Sequence, residues 1–318
     1  MGGVTPAAGA AVMSTGILST AAQSAGLSVL SWALLALAVL AELVLGVVLV
    51  GGLLTDRQGR LAEARTPAAL TGVAATAVIG GRVASLGGTI AAWLLLAVSG
   101  LLWLVVLPVV LRHWQIPTVG ASFLVCVSTE GLAALAATLG AVAGSRSAVV
   151  VASAAFLLGL VLYAFVLARF DWTQLRVGAG DQWVVAGALA ITSLAGAQLV
   201  LAGDHLRLLG ALREPLRLLD LAVWTLAVAG YAVLLGCELR WPRPHYDVRR
   251  WATVFPMGMT AAASSAVARA EQLPPLAVLG HLLLWPGLAA WALTLVGAVR
   301  SRGRPTGRLH GQQGQQGR

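Results

Sequence analysis

Reading the 318-residue chain for hydrophobic runs gives ten segments of about twenty residues with few charges, the length a helix needs to cross a bilayer. They fall at 6–25, 28–53, 68–87, 90–111, 119–141, 147–168, 181–202, 217–239, 251–271 and 275–299. The segments alternate in kind. In a twenty-residue core, Gly, Ala, Ser and Thr number about 9 to 14 in the odd segments and about 5 to 7 in the even ones, so the two sets do not overlap. Trp32, Trp93, Trp103, Trp224, Trp285 and Trp291 all lie in even segments. Small residues let helices approach closely, whereas large apolar and amphipathic residues suit lipid and its interfaces. Odd helices are therefore expected inside and even helices outside. The expected fold is an all-α integral membrane protein of ten transmembrane helices, arranged as five helical hairpins around a central pore, as an internal repeat would build them.

Composition agrees with a chain whose solvent is the bilayer. Hydrophobic residues make up 58% and charged residues 10%, and the mean hydropathy is +0.86. A net charge of +9 would point to nucleic acid in a soluble protein, but every basic side chain is Arg and most lie between the apolar segments. With the N-terminus inside, fifteen Arg fall on the cytoplasmic side and five on the other, which under the positive-inside rule predicts both termini in the cytoplasm. The N-terminus lacks the basic region of a signal peptide, so the first segment is expected to be retained. Cys126 and Cys237 sit in apolar segments without metal-type spacing. The absence of Lys excludes a Walker-type phosphate loop and Schiff-base chemistry, and the five His form no H-x-x-x-H pair. No cofactor, metal or nucleic-acid partner is expected. Residues 1–300 read as one transmembrane domain. Residues 301–318, with RPTGRLHGQQGQQGR, read as a disordered basic Gly/Gln-rich cytoplasmic tail.

The least ordinary segment is 249–268, RRWATVFPMGMTAAASSAVA, in which Phe-Pro precedes a run of small residues. Its W-x-x-x-F-P-x-G-M pattern resembles the ninth membrane helix of the tellurite-resistance and C4-dicarboxylate transporter family, to which plant slow-type anion channels, fungal malate permeases and sulfite exporters belong. MSTGILSTA at 13–21 resembles the family's first helix, and the Ala/Gly-rich stretches near Thr71, Thr129 and Thr192 resemble its other inner helices. This resemblance, together with parity, supports counting the short, polar first segment as a span.

The resemblance implies a plasma-membrane transporter of small anions: monovalent anions, C4-dicarboxylates, sulfite or tellurite. It also implies a homotrimer with one pore per subunit, and makes Phe255 the aromatic that closes the pore. A ring on an inner helix can plug a narrow passage, and the plain alternative is packing beside Pro256. Arg82 and Glu130 lie within odd segments, where ionisable side chains are costly, and are candidates to line the path or to pair with one another. Thr15, Thr76, Thr129, Thr192 and Ser264 are candidate lining hydroxyls. Each can instead return its hydrogen bond to its own helix. Glu42, Asp220, Glu238 and His281 lie in even segments and are expected to contact neighbouring helices, a second subunit or lipid headgroups. A proton-coupled dicarboxylate or sulfite permease of the same architecture is the alternative, and a membrane-embedded enzyme or scaffold the distant one. An enzyme is disfavoured by the lack of clustered acidic or metal-ligating residues.

Overall fold

The computed structural model describes residues 8–243 and 246–302. The expected tail beyond 302, the first two residues of the first segment and Pro244–His245 lie outside the described residues. Twelve α-helices and no strand occur among them: α1 (Gly9–Ser24), α2 (Ser28–Thr55), α3 (Arg57–Ala64), α4 (Leu70–Ser85), α5 (Thr89–Arg112), α6 (Leu124–Ala143), α7 (Arg146–Leu167), α8 (Gln174–Val177), α9 (Val184–His205), α10 (Arg213–Arg240), α11 (Trp251–Ala270) and α12 (Pro274–Arg302). Eight of these, some extended by a short 3₁₀ turn, are long and apolar enough to cross a membrane. The other two long helices, α1 with 16 residues and α11 with 20, are buried along most of their length. Two stretches read as plain connections contain short helices, α3 and α8. Asp56 caps α3 by accepting from the Gly59 backbone at 3.0 Å.

The alternation read from the sequence is a division into two layers. Buried residues make up 61, 94 and 78% of the spanning windows of α4, α6 and α9, but only 17 to 33% of those of α2, α5, α7, α10 and α12. The five small-residue helices close into a ring in the order α1, α4, α6, α9, α11 and back to α1. Each outer helix packs against its own hairpin partner and against the next inner helix: α2 on α1 and α4, α5 on α4 and α6, α7 on α6 and α9, α10 on α9 and α11, α12 on α11 and α1. Close approach is what small side chains permit. A methyl group at Gly258 of α11 would lie 3.0 Å from Leu18 Cδ2 of α1, and one at Gly80 of α4 would lie 2.7 Å from Leu135 Cδ2 of α6.

The hairpins are built alike. Each inner helix ends at a residue with positive φ, namely Gly26, Gly87, Gly144, Arg207 and Gln272. Just beyond the helix a backbone N–H closes back onto the last turn, as Leu27 does to Ala22, Gly88 to Val83, Leu208 to Gly203 and Leu273 to Ala268, a Schellman closure that satisfies carbonyls the helix leaves open. The outer layer is also pinned to the ring by polar bonds. The indole N–H of Trp291 on α12 donates to Thr15 at 3.0 Å, that of Trp103 on α5 to Thr129 at 2.9 Å, and that of Trp224 on α10 to Ser264 at 3.1 Å. Thr76 meets Glu42 of α2 at 2.6 Å. In an apolar surround each such bond replaces an unsatisfied polar group.

The layering predicts a clear contrast between sites. Ala75 and Ala262 are buried on α4 and α11, whereas Ala97 and Ala164 are exposed on α5 and α7. Ala75→Leu and Ala262→Leu should each lower stability by about 1 to 3 kcal/mol through overpacking. Ala97→Leu and Ala164→Leu should leave the melting temperature of the detergent-solubilised protein almost unchanged.

Candidate functional site: a cavity on the axis of the helix ring

A cavity of about 480 Å³ lies on the ring axis and takes side chains from all five inner helices, along the C-terminal halves of α1, α4, α6 and α9 and the last turn of α11. Its deep end, midway along the helices, is apolar: Ile17, Ala77, Val78 and Ile191 with Gly131. Towards the helix ends it becomes polar, with Gln23, Ser85, Thr138 and Gln198, and it carries two arginines, Arg82 and Arg269. No acidic side chain lines it.

The placement of those arginines follows from helix electrostatics. Five helices running in parallel direct their carbonyl ends, each equivalent to about half a negative charge, at this mouth. Arg82 occupies the last turn of α4 and Arg269 the last turn of α11, so each offsets the dipole of its own helix. Arg82 is 2% exposed, yet its partners are all neutral. One terminal nitrogen donates to Ser85 at 3.0 Å and the other to Gln23 at 2.9 Å and Ser31 at 3.0 Å, while Nε has no partner. The guanidinium is thus oriented without being neutralised. Two other arginines at this end are paired: Arg213 with Asp204 at 2.7 Å, and Arg217 with Glu214 and with the buried carboxylate of Glu271.

The anticipated pairing of Arg82 with Glu130 is not formed. Glu130 is fully buried on the outward side of α6, where its carboxyl presses on Gly159 of α7 so closely that a methyl group there would meet Oε1. Arg82 turns instead towards α1 and α2.

Of the remaining candidates, Thr15, Thr76, Thr129 and Ser264 face the outer helices through the bonds described above; Thr15, Thr129 and Ser264 also donate to the carbonyl four residues earlier, and the one hydroxyl hydrogen of Thr76 has Glu42 Oε1 and Gly72 O as alternative acceptors. Thr192 donates to Ala188 O and lies 3.9 Å from Cys126 Sγ of α6. None of these five lines the cavity. The even-segment residues contact neighbouring helices of the chain: His281 approaches Ala25 O at 2.6 Å, and the Asp220 carboxyl lies where a methyl group on Gly196 would stand. Sequence reasoning missed Arg269, Gln23 and Gln198. Arg269 counted as a loop charge, and only its place in the last turn of an odd segment hinted otherwise.

Phe255 is fully buried on α11 and does not line the cavity. Gly258 stands level with Ile17, a methyl group there falling 3.1 Å from Ile17 Cγ2. Phe255 precedes Gly258 by three residues, so its ring lies about 4.5 Å further towards the N-terminal ends of the helices. Gly187 of α9 receives it: a methyl group there would be 3.0 Å from Phe255 Cε1 and 2.7 Å from Pro256 Cγ. The helix passes through Pro256 unbroken, and Thr260 Oγ1 donates to Pro256 O at 2.8 Å. A 3₁₀ turn at Val248–Arg250 starts the rod before α11, so Phe255 is deeper than its distance from Trp251 suggests. Asp247 caps that turn, and the Arg249 guanidinium bonded to it holds its carboxyl below the usual range.

A ring of small-residue helices enclosed by lipid-compatible ones, with a cationic cavity on its axis, defines an integral membrane protein of the transport class. The chain belongs to the voltage-dependent anion channel family, whose profile matches residues 3–299. Two uncharacterized membrane proteins of Mycobacterium tuberculosis, from strain CDC 1551 / Oshkosh and strain ATCC 25618 / H37Rv, are each 27% identical to it over 143 residues. The matched stretch is 40% of this chain and 66% of each relative, so the chain spans just under two thirds of the length of those curated relatives. At the level of the family the activity is anion transport, and the family is one of channels rather than enzymes.

Because Arg82 and Glu130 share no bond, Arg82→Gln and Glu130→Gln should act independently. The stability change of the double variant should equal the sum of the single changes within about 0.3 to 0.5 kcal/mol. A larger coupling in thermal denaturation would restore the ion pair.

Proposed function

We propose that the chain is a passive pore for small anions, running along the axis of the five-helix ring, with all ten long helices crossing the membrane. Anions enter the cavity, meet Arg82 and Arg269, and are stopped by the apolar layer of Ile17, Val78 and Ile191 and by the ring of Phe255, which acts as the gate. The observation that carries this reading is an axial cavity holding two arginines and no carboxylate. A cation would find only repulsion there, and an anion finds charge held at high concentration between low-dielectric walls. Family membership supports the same solute class. The Phe255 ring is fully buried and seated against Gly187 of α9, so opening the passage requires the ring to swing away from that glycine.

The resemblance of the inner helices extends the proposal to monovalent anions, C4-dicarboxylates, sulfite or tellurite as solutes, to a homotrimer with one pore per subunit, and to the plasma membrane. The distribution of arginines supports both termini in the cytoplasm, and with them a cavity mouth on the outer side.

Anion flux in proteoliposomes with chloride, nitrate, sulfite, malate and tellurite tests the reading. Flux should follow the electrochemical gradient of the anion and fall on the order of tenfold or more in Arg82→Gln, the loss of about 1.4 kcal/mol or more of anion stabilisation. Phe255→Ala should open a constitutive leak, because it removes the ring that stops the passage, at the stability cost of one buried aromatic taken from its seat on Gly187. Normal flux in Arg82→Gln, or an unchanged conductance in folded Phe255→Ala, would reject the assignments of those residues.

A further inference from the structure

At the end of the bundle opposite the cavity mouth, one carboxylate gathers three chain segments. Glu238, near the end of α10, accepts from Arg250 at 2.7 Å on Oε1 and from Arg243 at 2.7 Å on Oε2. The indole N–H of Trp183, at the start of α9, points at Oε2 from 3.5 Å. Arg243 also donates to Leu175 O and Arg176 O at 3.0 Å each, fastening the connection from α10 to the α8 segment. Arg250 donates in turn to Arg243 O. The side chains of Glu238, Arg243 and Arg250 are 20, 16 and 14% exposed, which shields these charge-assisted bonds from solvent.

What the cluster holds in place is the surroundings of Phe255. Arg250 immediately precedes α11, and Phe255 follows it by five residues, about 7.5 Å of helix rise. Trp183 lies four residues before Gly187 on α9, so the indole that Glu238 reaches and the glycine that receives the Phe255 ring share one helix face. Met257 joins Trp183 and Tyr231 in one buried apolar cluster, which ties the same turn of α11 to α9 and α10. Thr253 adds a bond from α11 to Gly180 O at 3.2 Å. Releasing Arg250 and Arg243 would free the first turn of α11 to move relative to α9, and with it the seat of the ring.

We infer that Glu238 is a positioning residue for the Phe255 gate, clamping Arg250 and Arg243 so that the first turns of α11 stay seated on α9 with the ring closed over Gly187. This rests on the gate reading above.

The test is anion flux in proteoliposomes for Glu238→Ala, Phe255→Ala, the pair combined, and the conservative Glu238→Asp. Glu238→Ala should raise basal flux roughly tenfold, the effect of removing about 1.4 kcal/mol from the closed state. In the Phe255→Ala background the same substitution should add nothing, since a latch has no effect once its gate is gone. Glu238→Asp, which keeps a carboxylate for both guanidinium groups, should stay closer to the closed state than Glu238→Ala, which a loss of general loop packing would not produce. Glu238→Gln, which keeps the size and one acceptor oxygen, should leak to an intermediate extent and serves if the alanine variant does not fold. A closed Phe255→Ala protein overturns the gate and this inference with it. A leaking Phe255→Ala beside a closed Glu238→Ala overturns the latch alone, as do effects that multiply in the double variant.

Discussion

The constraint on which the structure depends is how closely five helices can approach around one axis. Inside a bilayer the apolar side chains of a helix gain little from meeting other apolar side chains, because lipid is as apolar as they are. Association must come from contact and from satisfied polar groups. Gly80, Gly187 and Gly258 show the contact term directly, each standing where a neighbouring helix leaves no room for a methyl group. Indole and carboxyl contacts at Thr15, Thr76, Thr129 and Ser264 show the polar term. Both depend on the inner helices being poor in large side chains, and that leaves an opening on the axis which large residues would have filled.

The opening acquires its chemistry from the ends of the same helices. Parallel helices bring like dipole ends together, so the axial cavity would disfavour anions at its mouth without correction. Arg82 and Arg269 supply it from the last turns of α4 and α11. The contrast with Arg213 and Arg217 is chemical: those arginines are spent on Asp204 and Glu271 and hold hairpins together, while Arg82 is held by Gln23, Ser31 and Ser85 and keeps its charge available. At the opposite end Glu238 is bonded to Arg243 and Arg250 and fastens chain segments.

Much of this was legible in the sequence. Composition and the spacing of apolar runs determined that the protein is helical and lives in a membrane, and the alternation of small and large segments determined which helices are covered and which face lipid. These are properties of whole segments, summed over about twenty residues, so single misreadings average out. The W-x-x-x-F-P motif added the family, and with it the class of solute.

Only the tertiary structure decided where individual side chains point. One residue turns a helix by about 100°, so a side chain assigned to an inner helix can face the axis, a ring neighbour or the outer layer, and segment composition does not distinguish these. Thr15, Thr76, Thr129 and Ser264 lie on the inner helices as the segments indicated, yet turn outward to indoles and a carboxyl. Glu130 faces Gly159 and not Arg82, while Arg269, which looked like a loop charge, lines the cavity. The sequence determined which helices surround the axis because that depends on bulk; which side chains reach it depends on rotation and register, and these are fixed only when all five helices pack at once.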